Sequence, residues 1–212
     1  MRKLITEFIG TYFLVLTVGL AVLGGGASAA ITAPIAIGVV LMVMVFAGGH
    51  ISGAHYNPAV TLAVLVRGKI TIGEAIGYWV IQLIGGAAAA FTVMFLLSDK
   101  IPADAALMVS STNGLIAEFL GTFALCFVVL NTATAKGTQG NSFYGLAIGL
   151  TVTCMAYALG GFSGGAFNPA VALGVLLMHM ANWSDLWVYA VGCFGGGLVA
   201  AFIFLACNKE DK

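Results

Sequence analysis

The sequence predicts an all-α membrane protein with six transmembrane helices and two half-length, re-entrant helices, arranged as an inverted internal repeat. Three observations lead to this prediction. Of the 212 residues, 61% are hydrophobic and only 8% are charged, whereas soluble domains carry about 25% charged residues. Apolar stretches of two distinct lengths follow one another, and one residue pattern occurs twice at a constant offset. The solvent around the chain is therefore predicted to be lipid. The net charge of zero gives no reason to expect a nucleic-acid partner.

Six apolar stretches are long enough to cross a bilayer, whose hydrocarbon core of about 30 Å needs about 20 helical residues. Helices pair their own backbone groups in lipid, so we predict spans over about 4–24, 33–49, 73–97, 115–135, 143–161 and 186–207. The first is expected to be a retained span rather than a cleaved signal peptide. Its Glu7-x-x-Gly10-Thr11 pattern recurs inside the chain, beginning at Glu118.

Two shorter apolar runs, 57–66 and 168–179, can each reach only about half-way through the membrane at about 1.5 Å per helical residue. The positions of Lys and Arg support this interpretation, because a topology with the N-terminus inside leaves only Lys100 outside. The cations on the cytoplasmic side are then Arg2, Lys3, Arg67, Lys69, Lys136, Lys209 and Lys212. Both termini are therefore predicted to be cytoplasmic.

A duplicated unit accounts for the recurrence of residues at an offset of 111 positions. The clearest copies are Asn57-Pro58-Ala59 and Asn168-Pro169-Ala170. We predict one channel-like domain over 1–212, with repeats over about 1–100 and 112–207. Each repeat holds three spans, an odd number, so the second copy lies upside down relative to the first. Asn57 and Asn168 are then expected to meet near the middle of the membrane.

Each Asn-Pro pair is typical of a helix N-terminus, where Asn caps free N–H groups and Pro suits the first helical position. Two such ends at the midplane would each carry roughly half a positive charge and disfavour a cation there. The amide NH₂ groups of Asn57 and Asn168 can both donate to one water molecule. A water held in this way cannot accept a proton from its neighbour, so protons are expected to be excluded as well.

The glycine-rich stretches before both Asn residues are predicted to be non-helical backbone, which at membrane depth lines a water-filled cavity. The residues predicted to line it are His50, Ser52, Gly53, His55, Ser163, Gly164, Ala166 and Phe167. Glu7 and Glu118 are expected to support these stretches by accepting backbone N–H groups. No metal site is expected, because His50 and His55 lack an evident third ligand, and nothing indicates a cofactor.

The chain resembles the major intrinsic protein family, that of aquaporins and glycerol facilitators, over nearly its whole length. The resemblance rests on both Asn-Pro-Ala motifs, the Gly49–His55 segment, both Glu-x-x-Gly-Thr patterns and the repeated halves. It implies a passive channel for water and small uncharged solutes, with Asn57 and Asn168 at the centre of its pore. It also implies a homotetramer with one pore per subunit, in a plasma membrane or a bacterial inner membrane.

The sequence departs from the family at the outer constriction of the pore, which the resemblance assigns to Ile37, Ala156, Gly165 and Val171. Water-selective members carry an aromatic residue, His and Arg at the positions of Ile37, Ala156 and Val171. Glycerol facilitators carry an Asp where Ala172 stands. Loss of the Arg removes a fixed charge and five hydrogen-bond donors. We therefore expect a wide apolar filter that passes water together with glycerol, urea or ammonia.

Two alternatives stay open at this point. Phe162 or Phe167 could fill the widened opening and preserve a water-selective aquaporin. A secondary transporter of a small neutral solute also uses inverted repeats and broken helices, but coupling normally requires charges at the midplane. Glu7 and Glu118 are the only acids well inside predicted spans. An enzyme is not expected, because no Asp lies near Ser163 to serve a nucleophile elbow there.

Overall fold

The computed structural model describes residues 1–104, 109 and 111–211. Within that part of the chain there are six long and two short α-helices. They are α1 (Arg2–Gly24), α2 (Ala29–Ser52), α3 (Pro58–Val66), α4 (Ile72–Leu96), α5 (Ser111–Val129), α6 (Tyr144–Ser163), α7 (Pro169–Leu177) and α8 (Leu186–Cys207). The α5 helix continues into a π-helical segment, Leu130–Thr134. Lys212, counted above among the cytoplasmic cations, lies outside the described residues.

Helix length and hydropathy confirm the predicted fold class. Six helical segments are long and apolar enough to cross a membrane, and each corresponds to one predicted span. The short helices α3 and α7 have nine residues each, which is about 14 Å at 1.5 Å per residue. The protein is therefore a multi-pass membrane protein with two half-length helices.

The glycine-rich stretches before the two Asn residues are mostly helical, so the prediction of irregular backbone there was wrong. α2 continues to Ser52 and α6 to Ser163, which makes His50, Ser52 and Ser163 helical residues. The helices end only at Gly53 and Gly164, whose φ angles of +86° and +85° are left-handed. Each glycine costs about 1 kcal/mol in a helix, a penalty that the packing of a long apolar helix outweighs.

The short helices pack mainly on long helices of the other half of the chain. α1 packs on α2 and α4, α5 packs on α6 and α8, and a contact between α2 and α6 joins the halves. α3 lies chiefly against α8, and α7 against α4. A side chain at Gly197 of α8 would approach the Ala59 carbonyl oxygen to 2.8 Å, and one at Gly86 of α4 would approach that of Ala170 to 2.7 Å. Glycine at these crossings lets the helix backbones come close.

Both ends of the described chain lie on one face, which we call the terminal face. There the Lys3 Nζ is 2.7 Å from a Glu74 oxygen at the start of α4. Arg67, just after α3, pairs with Asp211, just after α8, also at 2.7 Å. α7 runs the other way, because Met180 beyond its end lines a cavity at the opposite face together with the end of α1. The two short helices therefore point in opposite directions, as in an inverted repeat.

Candidate pore

The two Asn side chains cap the short helices where these begin. The Asn57 Oδ1 accepts the Ala59 N–H at 2.8 Å and the Val60 N–H at 3.4 Å. The Asn168 Oδ1 accepts the Ala170 N–H at 2.9 Å. Pro follows each Asn at the first helical position, where its missing N–H removes no helical bond. The positive ends of both helix dipoles therefore converge on one place.

Each Asn also reaches across to the other half. The Asn57 Nδ2 donates to the Phe167 carbonyl at 2.8 Å, and the Asn168 Nδ2 donates to the Tyr56 carbonyl at 2.9 Å. An amide NH₂ has two hydrogens, so one hydrogen of each Asn is engaged by the protein and one is left for a molecule in the cavity. Each Asn therefore has one hydrogen available to a water molecule, whereas the sequence-based expectation did not assign either hydrogen to the protein.

Glu7 holds the extended segment before Asn57. Its Oε1 accepts the Ser52 hydroxyl at 2.6 Å and the His55 N–H at 2.9 Å. Its Oε2 accepts the Tyr56 N–H at 2.7 Å and the Gln82 Nε2 at 2.8 Å. A fully buried carboxylate is tolerable only with such a set of donors, and four of them meet here.

Glu118 holds the segment before Asn168 with the same geometry. It accepts the Ser163 hydroxyl at 2.6 Å, the Ala166 N–H at 2.9 Å and the Phe167 N–H at 2.7 Å. Its fourth contact is with the Cys193 sulfur at 3.4 Å, a weaker donor than the amide found in the first half. The two carboxylates fix both Asn residues through the backbone that precedes them.

The Gly of each Glu-x-x-Gly-Thr pattern seats an aromatic ring. A side chain at Gly10 would collide with the Tyr56 ring, and one at Gly121 would collide with the Phe167 ring. The backbone of both aromatic residues is left-handed, with φ near +50°, which is uncommon for residues other than glycine. Phe167 is therefore buried by packing, and the prediction that it lines the pore was wrong for its side chain.

A narrow cavity of about 30 Å³ surrounds the two Asn residues. Its walls come from both halves in equivalent pairs of residues, 111 positions apart. Apart from the two Asn residues and His55, these pairs are apolar. These pairs are Leu14 and Leu125, Val18 and Val129, Ile37 and Ile148, Leu41 and Val152, and Val60 and Val171. Sequence reasoning missed most of them, although Leu14 and Val18 follow Glu7 and Thr11 at helical spacing, which is a usable signal.

A wide vestibule of about 540 Å³ adjoins the narrow cavity at the opposite face. Its lining includes all four residues that the resemblance assigned to the outer constriction: Ile37, Ala156, Gly165 and Val171. Ala156 lies only in the wide part, whereas the other three also line the narrow cavity. Among the described lining residues there is neither Phe162 nor Phe167, so neither ring fills the opening.

The remaining predicted lining residues are distributed along the passage. His55 and Ala166 line the narrow cavity, and Ser163 and Gly164 line the wide vestibule. His50 and Gly53 line a cavity of about 450 Å³ at the terminal face. Ser52, Gly53 and His55 line a second cavity there, of about 260 Å³. The passage thus consists of a narrow middle with open cavities at both faces.

Comparison with known proteins agrees with this geometry. A family model described as major intrinsic protein matches residues 1–204. A probable aquaporin NIP4-2 from Arabidopsis thaliana is 36% identical over 220 residues, covering 100% of this chain and 76% of the relative. Aquaporin NIP1-1 from Oryza sativa subsp. japonica is 34% identical, with coverage of 100% and 76%. The X-ray structure of the aquaglyceroporin from Plasmodium falciparum superposes with a TM-score of 0.79 at 22% identity, covering 99% of this chain and 97% of that one.

Proposed function

Because the chain belongs to the major intrinsic protein family, a family of passive membrane channels for water and small solutes rather than enzymes, we propose a specific range of permeants for its pore. The pore passes water together with small uncharged solutes such as glycerol, urea and ammonia, and it excludes ions and protons. The observation that carries this proposal is the vestibule around Ile37, Ala156, Gly165 and Val171. All four residues are small or aliphatic, and the space they border measures about 540 Å³.

Neutral solutes meet little resistance at this mouth. A solute entering it loses some hydrogen bonds to water, and the net value of each such bond is about 1 kcal/mol. That cost is too small to exclude a molecule that fits. None of the described residues that line the vestibule is charged, so no fixed ion holds or repels a neutral solute.

Ions and protons are excluded deeper in the pore. The N-termini of α3 and α7 converge on the narrow cavity, and each carries roughly half a positive charge. A cation would meet that field while losing its hydration, which costs several kcal/mol near the centre of a bilayer. The Asn57 and Asn168 amides both donate towards the same space, so a water there accepts two bonds and cannot relay a proton.

A water-selective channel is the second candidate, because the narrow cavity measures only about 30 Å³. That volume accommodates roughly one or two water molecules, so glycerol requires the walls to move apart. A secondary transporter has less support, since the acids that the structure places well inside the long helices, Glu7 and Glu118, are engaged by backbone and side-chain donors.

We further propose that the terminal face is cytoplasmic and that the chain forms a homotetramer in a plasma membrane. Lys3, Lys69 and Lys136 line cavities at the terminal face, whereas Lys100 follows α4 at the opposite face. This distribution agrees with the positive-inside rule. Native mass spectrometry of the purified protein tests the tetramer, and labelling of cysteines introduced beside Lys100 and Lys209 tests the orientation.

One reconstitution experiment tests the permeant range. Water, glycerol, urea, ammonia and proton fluxes are measured in the same proteoliposomes by stopped-flow light scattering and fluorescence, with protein-free vesicles as the reference. We expect water, glycerol, urea and ammonia fluxes above the reference, linear in the gradient, without proton flux. Water flux without any solute flux would select the second candidate instead, and saturation at low solute concentration would favour a carrier.

A further inference from the structure

The narrow cavity opens differently at its two ends. Towards the opposite face it shares five lining residues with the wide vestibule, all small or aliphatic: Val18, Ile37, Gly165, Ala166 and Val171. Towards the terminal face, its described lining shares only His55 and Val129 with the adjoining cavity. A solute therefore passes a broad aliphatic mouth at one end and an imidazole ring at the other.

The repeat shows that this difference arises chiefly at one position, because the other four shared residues have small or aliphatic counterparts: Val129, Ile148, Ala54 and Val60. Val129 and Val18 are equivalent residues, and His55 is the equivalent of Ala166, at the common offset of 111. The N–H groups of both His55 and Ala166 bind the carboxylate of their own half at 2.9 Å. The two backbones are thus held alike, and the main difference between the ends is a ring in place of a methyl group.

The His55 ring is fixed in place by two contacts, one of which the second half cannot make. Its Nδ1 lies 3.0 Å from the Thr61 hydroxyl, which also receives the Gln82 Nε2 at 3.1 Å. The ring stands edge-on to Tyr78, with centroids 5.1 Å apart and an interplanar angle of 70°. The counterparts of Thr61 and Gln82 are Ala172 and Cys193, which form no such chain. A ring held from two sides cannot easily turn away from a passing solute.

The other ring nitrogen is free to meet that solute. Within the described residues the His55 Nε2 has no hydrogen-bond partner. The protein does not enclose this atom completely. A side chain at Gly53 would contact it at 3.3 Å, and Gly53 lines both cavities at the terminal face. The Nε2 therefore lies where the narrow cavity joins the terminal side.

We propose that His55 is a specificity-determining residue of this channel. Its ring sets the largest solute that passes the terminal end of the pore, and its Nε2 offers a hydrogen bond to that solute. Selection by size thus lies at the end remote from the wide, apolar outer mouth. This inference rests on the proposed function, because it assigns the selecting position of the same pore.

The test compares permeability ratios in proteoliposomes that hold the full chain. Urea, glycerol and the larger polyol erythritol are each measured against water in the same vesicles. The ratio does not depend on how many channels have folded, so a variant that only reduces the amount of folded channel leaves it unchanged. The variants are His55→Ala, His55→Phe and His55→Gln. His179→Asn serves as the matched control, because His179 is exposed and lines none of the four cavities.

We expect His55→Ala to raise the glycerol-to-water ratio about fivefold, which corresponds to about 1 kcal/mol, and to admit erythritol. His55→Phe keeps the bulk of the ring without Nε2, so it should lower the glycerol and urea ratios while the size limit stays. His55→Gln should raise the ratio less than the alanine variant does. The His179→Asn ratio should equal that of the unmodified chain.

The inference is overturned if His55→Ala keeps the ratio within about twofold of the unmodified chain, or if His55→Phe admits larger solutes as His55→Ala does. Should the alanine variant show no water flux, His55→Gln decides by the same criterion. An unmodified chain that conducts water alone contradicts the proposed permeants, but not this inference if His55→Ala then admits glycerol. An unmodified chain that conducts glycerol with a ratio unchanged in the variants contradicts this inference only.

Discussion

In the first half of the chain, Glu7 receives the Gln82 amide at 2.8 Å, whereas in the second half Glu118 faces the Cys193 sulfur at 3.4 Å. Other contacts of the two carboxylates match to within 0.1 Å, and in both halves a tyrosine hydroxyl donates to the helix-ending Ser carbonyl at 2.7 Å. The matching contacts hold the two Asn residues. The contacts that differ belong to the hydrogen-bonded series from Glu7 through Gln82 and Thr61 to His55, which lines the pore.

This comparison separates the residues that build the pore from those that adjust it. Glu, Ser, Gly and Asn recur in both halves because each half must seat one half-length helix at the same depth. His55, Thr61 and Gln82 are replaced by Ala166, Ala172 and Cys193, with no change in the backbone contacts of the carboxylates. Positions that vary between the halves can therefore change which solutes pass through the pore, because the half-length helices stay in place.

The largest expected effect comes from breaking a contact that both halves share. In Glu7→Gln and Glu118→Gln an amide NH₂ would face backbone N–H groups that now bind a carboxylate oxygen. Leaving one or two buried donors unpaired costs about 3 kcal/mol. The yield of folded protein should therefore fall strongly in both variants. Thermal unfolding in detergent, followed by size-exclusion chromatography, measures this loss. Similar losses in both variants support the shared role, and normal stability of either variant contradicts it.

The next effect concerns the wide mouth. Val171→Arg combined with Ala156→His places a fixed charge and more bulk in the vestibule, so glycerol and urea fluxes should fall about tenfold, while water flux falls less. Stopped-flow measurements in one vesicle preparation give both fluxes. The single variant Ala156→Leu, which adds bulk without charge, is the control. Equal reduction of water and solute fluxes would show that the mouth does not discriminate between them.

A smaller effect is expected from transferring the ring between the halves. Ala166→His with Ala172→Thr reproduces the His55–Thr61 pair at the wide end. The glycerol-to-water ratio should fall about threefold, because the ring then narrows a mouth that was lined by a methyl group. Ala172→Thr alone is the matched control and should keep the original ratio. A ratio that does not respond to the double change would mean that the two ends are not interchangeable.

Cys193→Gln should give the second half the amide that the first half has. A Gln donor to Glu118 adds roughly one hydrogen bond, worth about 1 kcal/mol, so the thermal midpoint should rise by a few degrees. The reciprocal variant, Gln82→Cys, should lower it by at least as much, since it also removes the donor to Thr61. A fall in the midpoint for Cys193→Gln would show that the site lacks room for the longer side chain.

The smallest effect concerns the far ends of the short helices. Arg67 after α3 pairs with Asp211, whereas its equivalent after α7 is the buried Met178. The Lys136 N–H, at 2.7 Å, and the Arg67 charge hold the pKa of Asp211 below its ordinary value of 3.8. A carboxyl with a depressed pKa stabilises the fold above its unfolded pKa, and this contribution is lost as the pH falls through the folded pKa.

The melting temperature should therefore fall slightly on acidification below about pH 4. Asp211→Asn should melt lower at pH 7 and show a smaller decrease on acidification. The same decrease in both proteins would mean that other carboxyl groups account for it.

Element lengths made most of this fold predictable. An apolar run of about twenty residues has to span a bilayer and one of about ten cannot, so the six long and two short helices followed from spacing alone. The meeting of Asn57 and Asn168 followed from the odd number of spans in each repeat. By contrast, the helical state of the glycine-rich stretches depends on packing against neighbouring helices, which overrides the local preference of glycine.

Contacts between distant positions could not be predicted from the pattern. Nothing in the sequence around Gly10 or Gly121 indicates that an aromatic ring 46 residues later would lie on each of them. The unequal ends of the narrow cavity also depend on which side chains of six helices reach the same space. An alignment of the two halves, however, does reveal that His55 in the first half corresponds to Ala166 in the second.

The seating of each short helix on the opposite half has a consequence for how the protein is made. α3 lies chiefly on α8, which is synthesised after α1 to α7, so the final position of α3 is unavailable until α8 has been made. The Asn57 amide likewise lacks the Phe167 carbonyl until that part of the second half has been made. Biogenesis should therefore include a late rearrangement, in which α3 settles between the spans after α8 is released. A chain that stops before Leu186 should reach the membrane and remain accessible to proteases at the first Asn-Pro-Ala segment.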